Sequence, residues 1–249
     1  MAKTNPSNYR ENIEIYTLGK FFMRQGDVII SEQSVRSKRM WEIFKYILSN
    51  RNKSFFPEAI LESIWPEREY SDPGTVMRAQ MFRLRRALNN KSGEQSLSAN
   101  LVFAQGIYRW EDKVKCWIDV DEFEELAKQA GSLPDTKRED KIALYQRAIG
   151  LYKGEYLPES SYSEWAVPLR TYYHNVFLNC VFELANLLKR KHAYNDIIKL
   201  CEQASAIDYF EEKIHIRLIE ALLAEGHKAR ARAHYNEVTS VYCGWKECI

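Results

Sequence analysis

The 249-residue chain lacks any apolar run near the roughly 18–20 residues that a helix needs to cross a lipid bilayer. Its start, Met1–Asn8, also lacks the apolar core of a secretory signal peptide. We therefore expect a cytoplasmic protein with no membrane partner. The five cysteines are then expected to be reduced thiols.

Catalytic signatures are missing as well. The sequence has no phosphate-binding loop, no G-x-S-x-G and no H-E-x-x-H. The nearest approach to a metal set is Cys243 and Cys248 with His234, but their spacing matches no zinc pattern and a second ligand pair is absent. We predict that the protein is not an enzyme and has neither a metal site nor a cofactor.

The composition is that of a folded protein, with 45% hydrophobic and 28% charged residues. Its charge is unevenly distributed. Residues 1–115 contain 19 Lys/Arg and 13 Asp/Glu, a net of +6, whereas residues 116–249 contain 17 and 21, a net of −4. We divide the chain into domains at 1–115 and 116–249. A basic half is typical of a module that binds a polyanion, although chance variation explains a difference of this size equally well.

The N-terminal half alternates short strands with helices. Turn residues and apolar spacing predict strands at 13–16, 20–23 and 28–30, helices at 37–50, 57–65 and 73–88, and a hairpin of 101–104 with 107–110 around Gln105-Gly106. This order predicts a winged helix-turn-helix, in which the second and third helices form the pair and the hairpin forms the wing.

The third predicted helix is amphipathic. Asp72 is expected to cap it, and Pro73 fits the first helical position. Apolar residues repeat along one face at spacings of four, three and four: Met77, Met81, Leu84 and Leu88.

The opposite face of this helix is rich in arginine. On a helical wheel the residues opposite or flanking the apolar stripe are Thr75, Arg78, Ala79, Phe82, Arg83, Arg85 and Arg86. An arginine-rich surface of this kind suits the DNA major groove. We predict base-edge or groove contacts for Thr75, Arg78, Phe82 and Arg86. Arg83 and Arg85 are divided between phosphate contact and packing. A solvated arginine face, or an Arg85–Glu pair that braces the fold, is the alternative.

Two further groups are candidates for phosphate or groove contacts. The first stands at a helix N-terminus, where amide groups attract phosphate, and comprises Arg36, Ser37, Lys38 and Arg39. The second is on the wing and comprises Gln105 and Arg109. A solvated charge run, and pairing of Arg109 with an acidic neighbour, are the alternatives.

From residue 119 onward the apolar period is helical. We predict helices at 119–130, 137–152, 164–190, 193–206, 209–225 and 227–242. Residues 187–192 align with 222–227 at an offset of 35, which places His192 and His227 at equivalent positions. This offset is close to the roughly 34-residue tetratricopeptide period, and such repeats stack into a concave binding surface.

Aromatic residues crowd one part of this helical half: Tyr145, Tyr152, Tyr156, Tyr162, Trp165, Tyr172 and Tyr173. Most of them are expected to pack between repeats. A groove for a ligand or partner is the alternative.

Several local patterns together resemble the SARP-type bacterial regulators, in which an OmpR-like winged helix precedes a bacterial transcriptional activation domain. The resembling segments cover nearly all of 13–242 and stand in the family's order: Glu62–Pro66, Phe82–Leu88, Gln105–Trp110, Ile118–Phe123, Leu151–Leu157 with Glu164–Ala166, and Leu222–Ala231. The wing segment departs from the family's pattern, because Ile107 is inserted before Tyr108.

The resemblance implies a mainly α fold with a small β component, in which an N-terminal winged helix-turn-helix is followed by an all-α tetratricopeptide-like domain. It also implies a sequence-specific transcriptional activator that binds promoter repeats in double-stranded DNA as a homodimer or tandem pair and contacts RNA polymerase. The alternative is an interaction or ligand-sensing module whose winged helix docks protein rather than DNA.

Overall fold

The computed structural model describes residues 13–33, 35, 37–89 and 96–246, with side chains described up to residue 242. Within these residues the chain is mainly helical with a small β component, and it divides into two compact units. The first unit comprises the chain up to Glu122 together with Gly154–Tyr173, and the second comprises Phe123–Lys153 and the chain from His174 onward.

The first unit contains seven strands and three helices among its described residues. The strands are β1 (Ile13–Tyr16), β2 (Phe22–Gln25), β3 (Val28–Ser31), β4 (Ser54–Phe55), β5 (Leu101–Ala104), β6 (Ile107–Trp110) and β7 (Cys116–Ile118). The helices are α1 (Lys38–Ser49), α2 (Pro57–Ile64) and α3 (Pro73–Leu88). The predicted order of strands, three helices and hairpin is confirmed.

Two strands were missed by the sequence prediction. The first sheet has the order β3-β2-β1-β7, in which β7 runs parallel to β1, and the second has the order β4-β6-β5. Both missed strands, β4 and β7, are two or three residues long. Strands this short show no apolar periodicity, and only pairing with a distant strand defines them.

Aromatic side chains fill the core of the first unit. The buried rings of Trp41 and Phe44 on α1 pack against Phe21, with centroids 5.7 and 6.0 Å away, and Phe44 also meets Trp110 of the hairpin. These contacts join α1 to the residue before β2 and to β6 of the hairpin, and α1 in turn packs against α3.

The segment Gly154–Tyr173 is held to α1 by buried polar contacts. Lys45 is fully buried, pairs with Glu32, and donates from Nζ to Ser160 Oγ at 3.1 Å. Glu42 accepts hydrogen bonds from Ser160 Oγ at 2.5 Å and from Ser163 Oγ at 2.9 Å. The packing therefore links residues 154–173 to residues that precede them by more than a hundred positions. The domain boundary at residue 115 was placed from patterns along the sequence and not from contacts, and it stays a prediction.

The second half of the chain is helical. Its helices are α4 (Asp119–Ser132), α5 (Arg138–Leu151), α6 (Val167–Arg190), α7 (Tyr194–Ile207), α8 (Glu212–Ala224) and α9 (Lys228–Lys246). All six were predicted, within about four residues at each boundary. Residues Glu164–Ala166, assigned by the sequence to the start of α6, form a separate 3₁₀ turn.

The helical repeat has a different register from the one that the sequence alignment suggested. The backbone is left-handed at His192, with φ 54°, and at Gly226, with φ 80°. After α6, the amides of His192 and Ala193 donate to the carbonyls of Lys189 and Leu188. This pair of bonds is the Schellman ending.

The ending of α8 has the same bonds. The amides of Gly226 and His227 donate to the carbonyls of Leu223 and Leu222. His192 therefore corresponds to Gly226 rather than to His227, and the repeat is 34 residues rather than 35. The offset of 35 was wrong by one residue because it was fixed by side-chain identity.

In the described part of the chain, no helix combines the length and the apolarity that a bilayer crossing requires. Burial raises the pKa of the Cys180 and Cys201 thiols to about 12, so both stay protonated near neutral pH. Among the described residues, no three His, Cys, Asp or Glu side chains are grouped as a metal would require. The side chains of Cys243 and Cys248 lie outside the described residues.

Candidate nucleic-acid interface

The apolar face of α3 is buried as the sequence predicts. Met77, Met81, Leu84 and Leu88 are each at most 3% exposed. They pack α3 against α1 and α2, which completes the helix-turn-helix. The burial of this stripe fixes which side chains of α3 point away from the core.

The start of α3 is capped as predicted. Thr75 donates its backbone N–H to Asp72 Oδ1 at 2.9 Å, and Pro73 occupies the first turn. The hydrogen bonds from Thr75 lower the pKa of the Asp72 carboxyl below its usual value. The cap is therefore charged at neutral pH and helps to stabilise the first turn of the helix.

Six of the seven predicted contact residues on α3 are exposed to solvent: Thr75, Arg78, Ala79, Phe82, Arg83 and Arg86. Phe82 is 69% exposed, more than any other phenylalanine among the described residues. Neither Arg83 nor Arg86 forms an ion pair with an acidic side chain in the described part of the chain. This exposed face of α3 is the candidate interface.

The seventh residue, Arg85, is half-buried. Its Nη2 donates to the backbone carbonyl of Leu101 at 3.0 Å, at the start of β5. This side chain therefore ties α3 to the wing hairpin. The sequence analysis gave an Arg85–Glu pair that braces the fold as the alternative to DNA contact. Arg85 does brace the fold, but its partner is a carbonyl oxygen rather than a glutamate.

Arg78 already has partners within its own helix. Its Nη2 donates to Thr75 Oγ1 at 2.6 Å and lies 4.0 Å from Asp72 Oδ2. These contacts hold Thr75 and Arg78 together at the exposed N-terminal end of α3. They also place one carboxylate beside the candidate interface.

Gln80 is a polar residue that the sequence analysis did not single out. It is 8% exposed, and its Oε1 has no hydrogen-bond partner among the described residues. Its burial could have been predicted from the sequence, because Gln80 lies three residues after Met77 and four before Leu84, on the side of the helix that faces the core.

The basic cluster at the start of α1 is only partly defined. Arg36 lies outside the described residues. Lys38 and Arg39 are exposed at the N-terminus of α1, whereas Ser37 is half-buried and makes no side-chain cap.

The two candidate contact residues on the wing differ in exposure. Gln105 is exposed at the hairpin tip, where the left-handed φ of 52° at Gln105 and 80° at Gly106 is typical of a tight two-residue turn. Arg109 is half-buried and pairs with Glu111, with Nε 2.6 Å from Oε1. The alternative interpretation of Arg109 was that it pairs with an acidic neighbour, and Glu111 is that neighbour. Lys113 and Arg109 lower the pKa of the Glu111 carboxyl.

The predicted aromatic cluster is divided between the two units. Tyr145 and Tyr152 belong to the second unit, where Tyr152 stacks on Phe177 with centroids 4.3 Å apart. The other members lie in the Gly154–Tyr173 segment of the first unit. Trp165 packs there on Tyr46, and Tyr156 on Tyr173. Most of these aromatic residues therefore pack within the core of the first unit or between the helices of the second, although Tyr162 is fully exposed.

Comparison with known families decides the identity of the helical half. The model of the bacterial transcriptional activator domain (BTAD) matches residues 118–242, which is half of the chain. The chain belongs to the BTAD family. It is of the SARP type, as the order of its sequence patterns predicted.

The fold of this SARP-type regulator is also seen in a solved structure. Mycobacterium tuberculosis EmbR, determined in complex with a low affinity phosphopeptide, superposes with a TM-score of 0.69 at 16% sequence identity. The match covers 93% of the present chain but only 59% of the EmbR chain. A search of curated proteins gave no match. The architecture of a winged helix followed by helical repeats is therefore confirmed.

Proposed function

We propose that this SARP-type regulator binds double-stranded DNA in a sequence-specific manner through α3. The observation that carries the proposal is the exposed face of that helix, where Arg83 and Arg86 lie beside the exposed Phe82 opposite a fully packed apolar stripe. An α-helix of this width fits the major groove, and guanidinium groups bind guanine edges or phosphates.

We assign different roles to the exposed residues. Arg86, Phe82 and the Thr75–Arg78 pair read base edges, where Phe82 can touch a thymine methyl. Ala79 has a short side chain that lets the helix approach the bases closely. Arg83 binds phosphate. Arg85 is a positioning residue, since its hydrogen bond to Leu101 sets the angle of the wing.

Contacts outside α3 would fix the orientation of the protein on the duplex. Lys38 and Arg39, with Arg36 and Ser37 before them, would bind phosphate at the start of α1, where helix amides add attraction. Gln105 at the wing tip reaches the adjacent groove. Arg109 would enter a minor groove only after releasing Glu111.

The wider role follows the SARP family. We propose an activator that binds promoter repeats as a homodimer or tandem pair and contacts RNA polymerase through its helical half. Membership of the BTAD family and the EmbR-like fold support this role.

The test is selection of bound duplexes from a random pool, followed by affinity measurements on the selected sequence. Arg83→Ala/Arg86→Ala should weaken binding by ~1–3 kcal/mol for each residue that reads a base, and should flatten the salt dependence for a residue that binds phosphate. Arg232→Ala, at an exposed arginine of α9, is the matched control. A double variant that binds as tightly as the wild type would rule out α3.

Phe82→Ala separates binding from folding. Because Phe82 is exposed, its loss should change the free energy of unfolding by less than about 0.5 kcal/mol. It should nevertheless reduce affinity for a site that contains thymine. If the chain is not retained on heparin or random duplex at low salt, protein docking by the winged helix becomes the better explanation.

A further inference from the structure

Two neighbouring cavities lie along α6 and α8 in the second unit. Their volumes are about 310 and 370 Å³, and Arg217 and Glu220 line both of them. The two cavities therefore lie next to each other, and we call them together the α6–α8 groove. It extends along α8 from Lys213 to Ala224, about 16 Å at the helical rise per residue.

Small side chains give the groove its depth. Ala185 on α6 faces Ala221 and Ala224 on α8, and larger residues at these positions would fill the space. The wall and rim beside them are apolar and exposed: Ile216 is 46% exposed and Leu223 is 51% exposed. An exposed apolar surface of this kind favours an occupant that brings apolar side chains of its own.

The groove also has an excess of positive charge. Lys189, Lys213 and Arg217 line it against a single carboxylate, Glu220. Lys189 Nζ and Arg217 Nη1 both donate to the same oxygen, Glu220 Oε2, at 3.2 and 3.4 Å. An ammonium has three donors and a guanidinium has five, so one shared oxygen leaves most of them for another acceptor.

Lys213 extends the positive charge to the other end of the groove. Its Nζ lies 5.9 Å from the centroid of the Phe182 ring, which is a weak cation–π contact rather than an ion pair. The cations are spread along the groove, with Lys213 near one end and with Arg217 and Lys189 beside Glu220. This spacing favours an elongated anion with more than one negative group.

We propose that the α6–α8 groove binds an extended acidic segment of a partner protein in which carboxylates alternate with apolar side chains. A length of 16 Å corresponds to about five extended residues. Successive side chains of an extended chain point in opposite directions, so the apolar ones enter the alanine-lined floor while the carboxylates reach Lys189, Lys213 and Arg217. This proposal does not depend on DNA binding by α3.

The test is fluorescence anisotropy on the full chain with a fluorescein-labelled hexapeptide of alternating aspartate and leucine. The comparison peptides alternate lysine with leucine, or aspartate with serine. We expect the aspartate–leucine peptide to bind at least tenfold more tightly than either comparison peptide, and less tightly as the salt concentration rises.

Variants then locate the binding. Lys213→Glu adds a negative charge in the groove, and Ala224→Trp blocks it from an exposed position, so each should weaken peptide binding about tenfold or more. Lys128→Glu, at an exposed lysine of α4, makes the same charge change outside the groove and should leave peptide binding unchanged. Circular dichroism melting curves confirm that each variant is folded.

Three results would overturn the proposal. One is equal affinity for the acidic and basic peptides, and another is wild-type affinity in both groove variants. The third is displacement of the peptide by random duplex together with lower duplex affinity in Lys213→Glu, because the groove would then be a nucleic-acid surface. If Arg83→Ala/Arg86→Ala does not affect DNA binding, the peptide affinities measured for the α6–α8 groove are unchanged. The proposal for α3 and the proposal for the groove can therefore fail separately.

Discussion

His192 and Gly226 occupy the same left-handed backbone position at the ends of α6 and α8, with φ of 54° and 80°. This conformation costs an ordinary L-residue roughly 1–2 kcal/mol, whereas glycine adopts it freely. A Cβ added at Gly226 would meet no heavy atom within 4 Å, so any cost there comes from the backbone alone.

We predict opposite effects of substitution at these two positions. Gly226→Ala should lower the free energy of unfolding by about 1 kcal/mol, and His192→Gly should raise it by up to about 1 kcal/mol. Urea denaturation measures both.

Gly150→Ala is the matched control, since Gly150 lies in α5 with a helical backbone and open space around its Cα. That change should be stabilising by about 0.5–1 kcal/mol. Destabilisation at Gly150, or none at Gly226, would contradict the backbone explanation.

The exposed arginines show how far single residues can be predicted. The helical wheel identifies Arg83 and Arg86 as outward-facing, because burial of the Met77–Leu88 stripe fixes the rotation of α3. It does not identify the partners of Arg85 and Arg109, namely the Leu101 carbonyl and Glu111. Those contacts depend on side-chain rotamers and on the position of the hairpin.

At the scale of elements, α8 and α9 are joined by a pair of histidines. His215 Nε2 lies 2.6 Å from the Tyr209 carbonyl oxygen, and its Nδ1 lies 3.0 Å from His234 Nε2. A carbonyl only accepts, so His215 donates there, and neutral His215 accepts at Nδ1 from His234. Burial, followed by the positive charge that His215 carries when it is protonated, lowers the pKa of His234, while Glu237 and Glu202 oppose the shift.

This pair predicts a loss of stability in mild acid. Because the pKa of His234 is lower in the folded protein, the unfolded chain binds the proton first as the pH falls through about 6.5. The free energy of unfolding should therefore be highest above that pH and should fall below it. Urea denaturation at about pH 7.5, 6.5 and 5.5 measures the slope.

His234→Gln is the informative variant for this pH dependence. Its amide keeps a donor toward His215 but does not titrate, so the free energy of unfolding should fall less steeply over the same window. An unchanged slope in that variant would assign the pH dependence to other groups.

At the scale of the whole molecule, the Gly154–Tyr173 segment packs with residues that precede it by more than a hundred positions. Ser160 and Ser163 of this segment bond to Lys45 and Glu42. In addition, the hydroxyl of Tyr156 lies 2.7 Å from Ser49 Oγ, and Trp165 packs on Tyr46. The winged-helix unit is therefore completed by a segment from within the BTAD match.

We predict that a fragment of residues 1–122 is less stable than the same unit in the full chain. Loss of at least three hydrogen bonds to α1, each worth about 1 kcal/mol, should lower its stability by about 3 kcal/mol. Hydrogen exchange of the α1 amides should be correspondingly faster.

A synthetic peptide of residues 154–173 added in trans should slow that exchange. The same peptide with Ser160→Ala and Ser163→Ala should do so less well, because it cannot bond to Glu42. If the fragment alone exchanges as slowly as the full chain, the segment does not stabilise the unit.

The sequence by itself determined the helices, the strands β1–β3, β5 and β6, and the outward face of α3, because apolar periodicity, caps and turn residues act between neighbours in the chain. Only the tertiary structure decided the 34-residue repeat register, the strands β4 and β7, the partners of Arg85 and Arg109, and the packing of the 154–173 segment. The strands, the two partners and the packing of the segment depend on contacts between residues distant in sequence or on one rotamer among several, and neither leaves a periodic signal in the chain. The repeat register depends on the left-handed residue that ends each helix, which is histidine after α6 but glycine after α8, so side-chain identity does not reveal it.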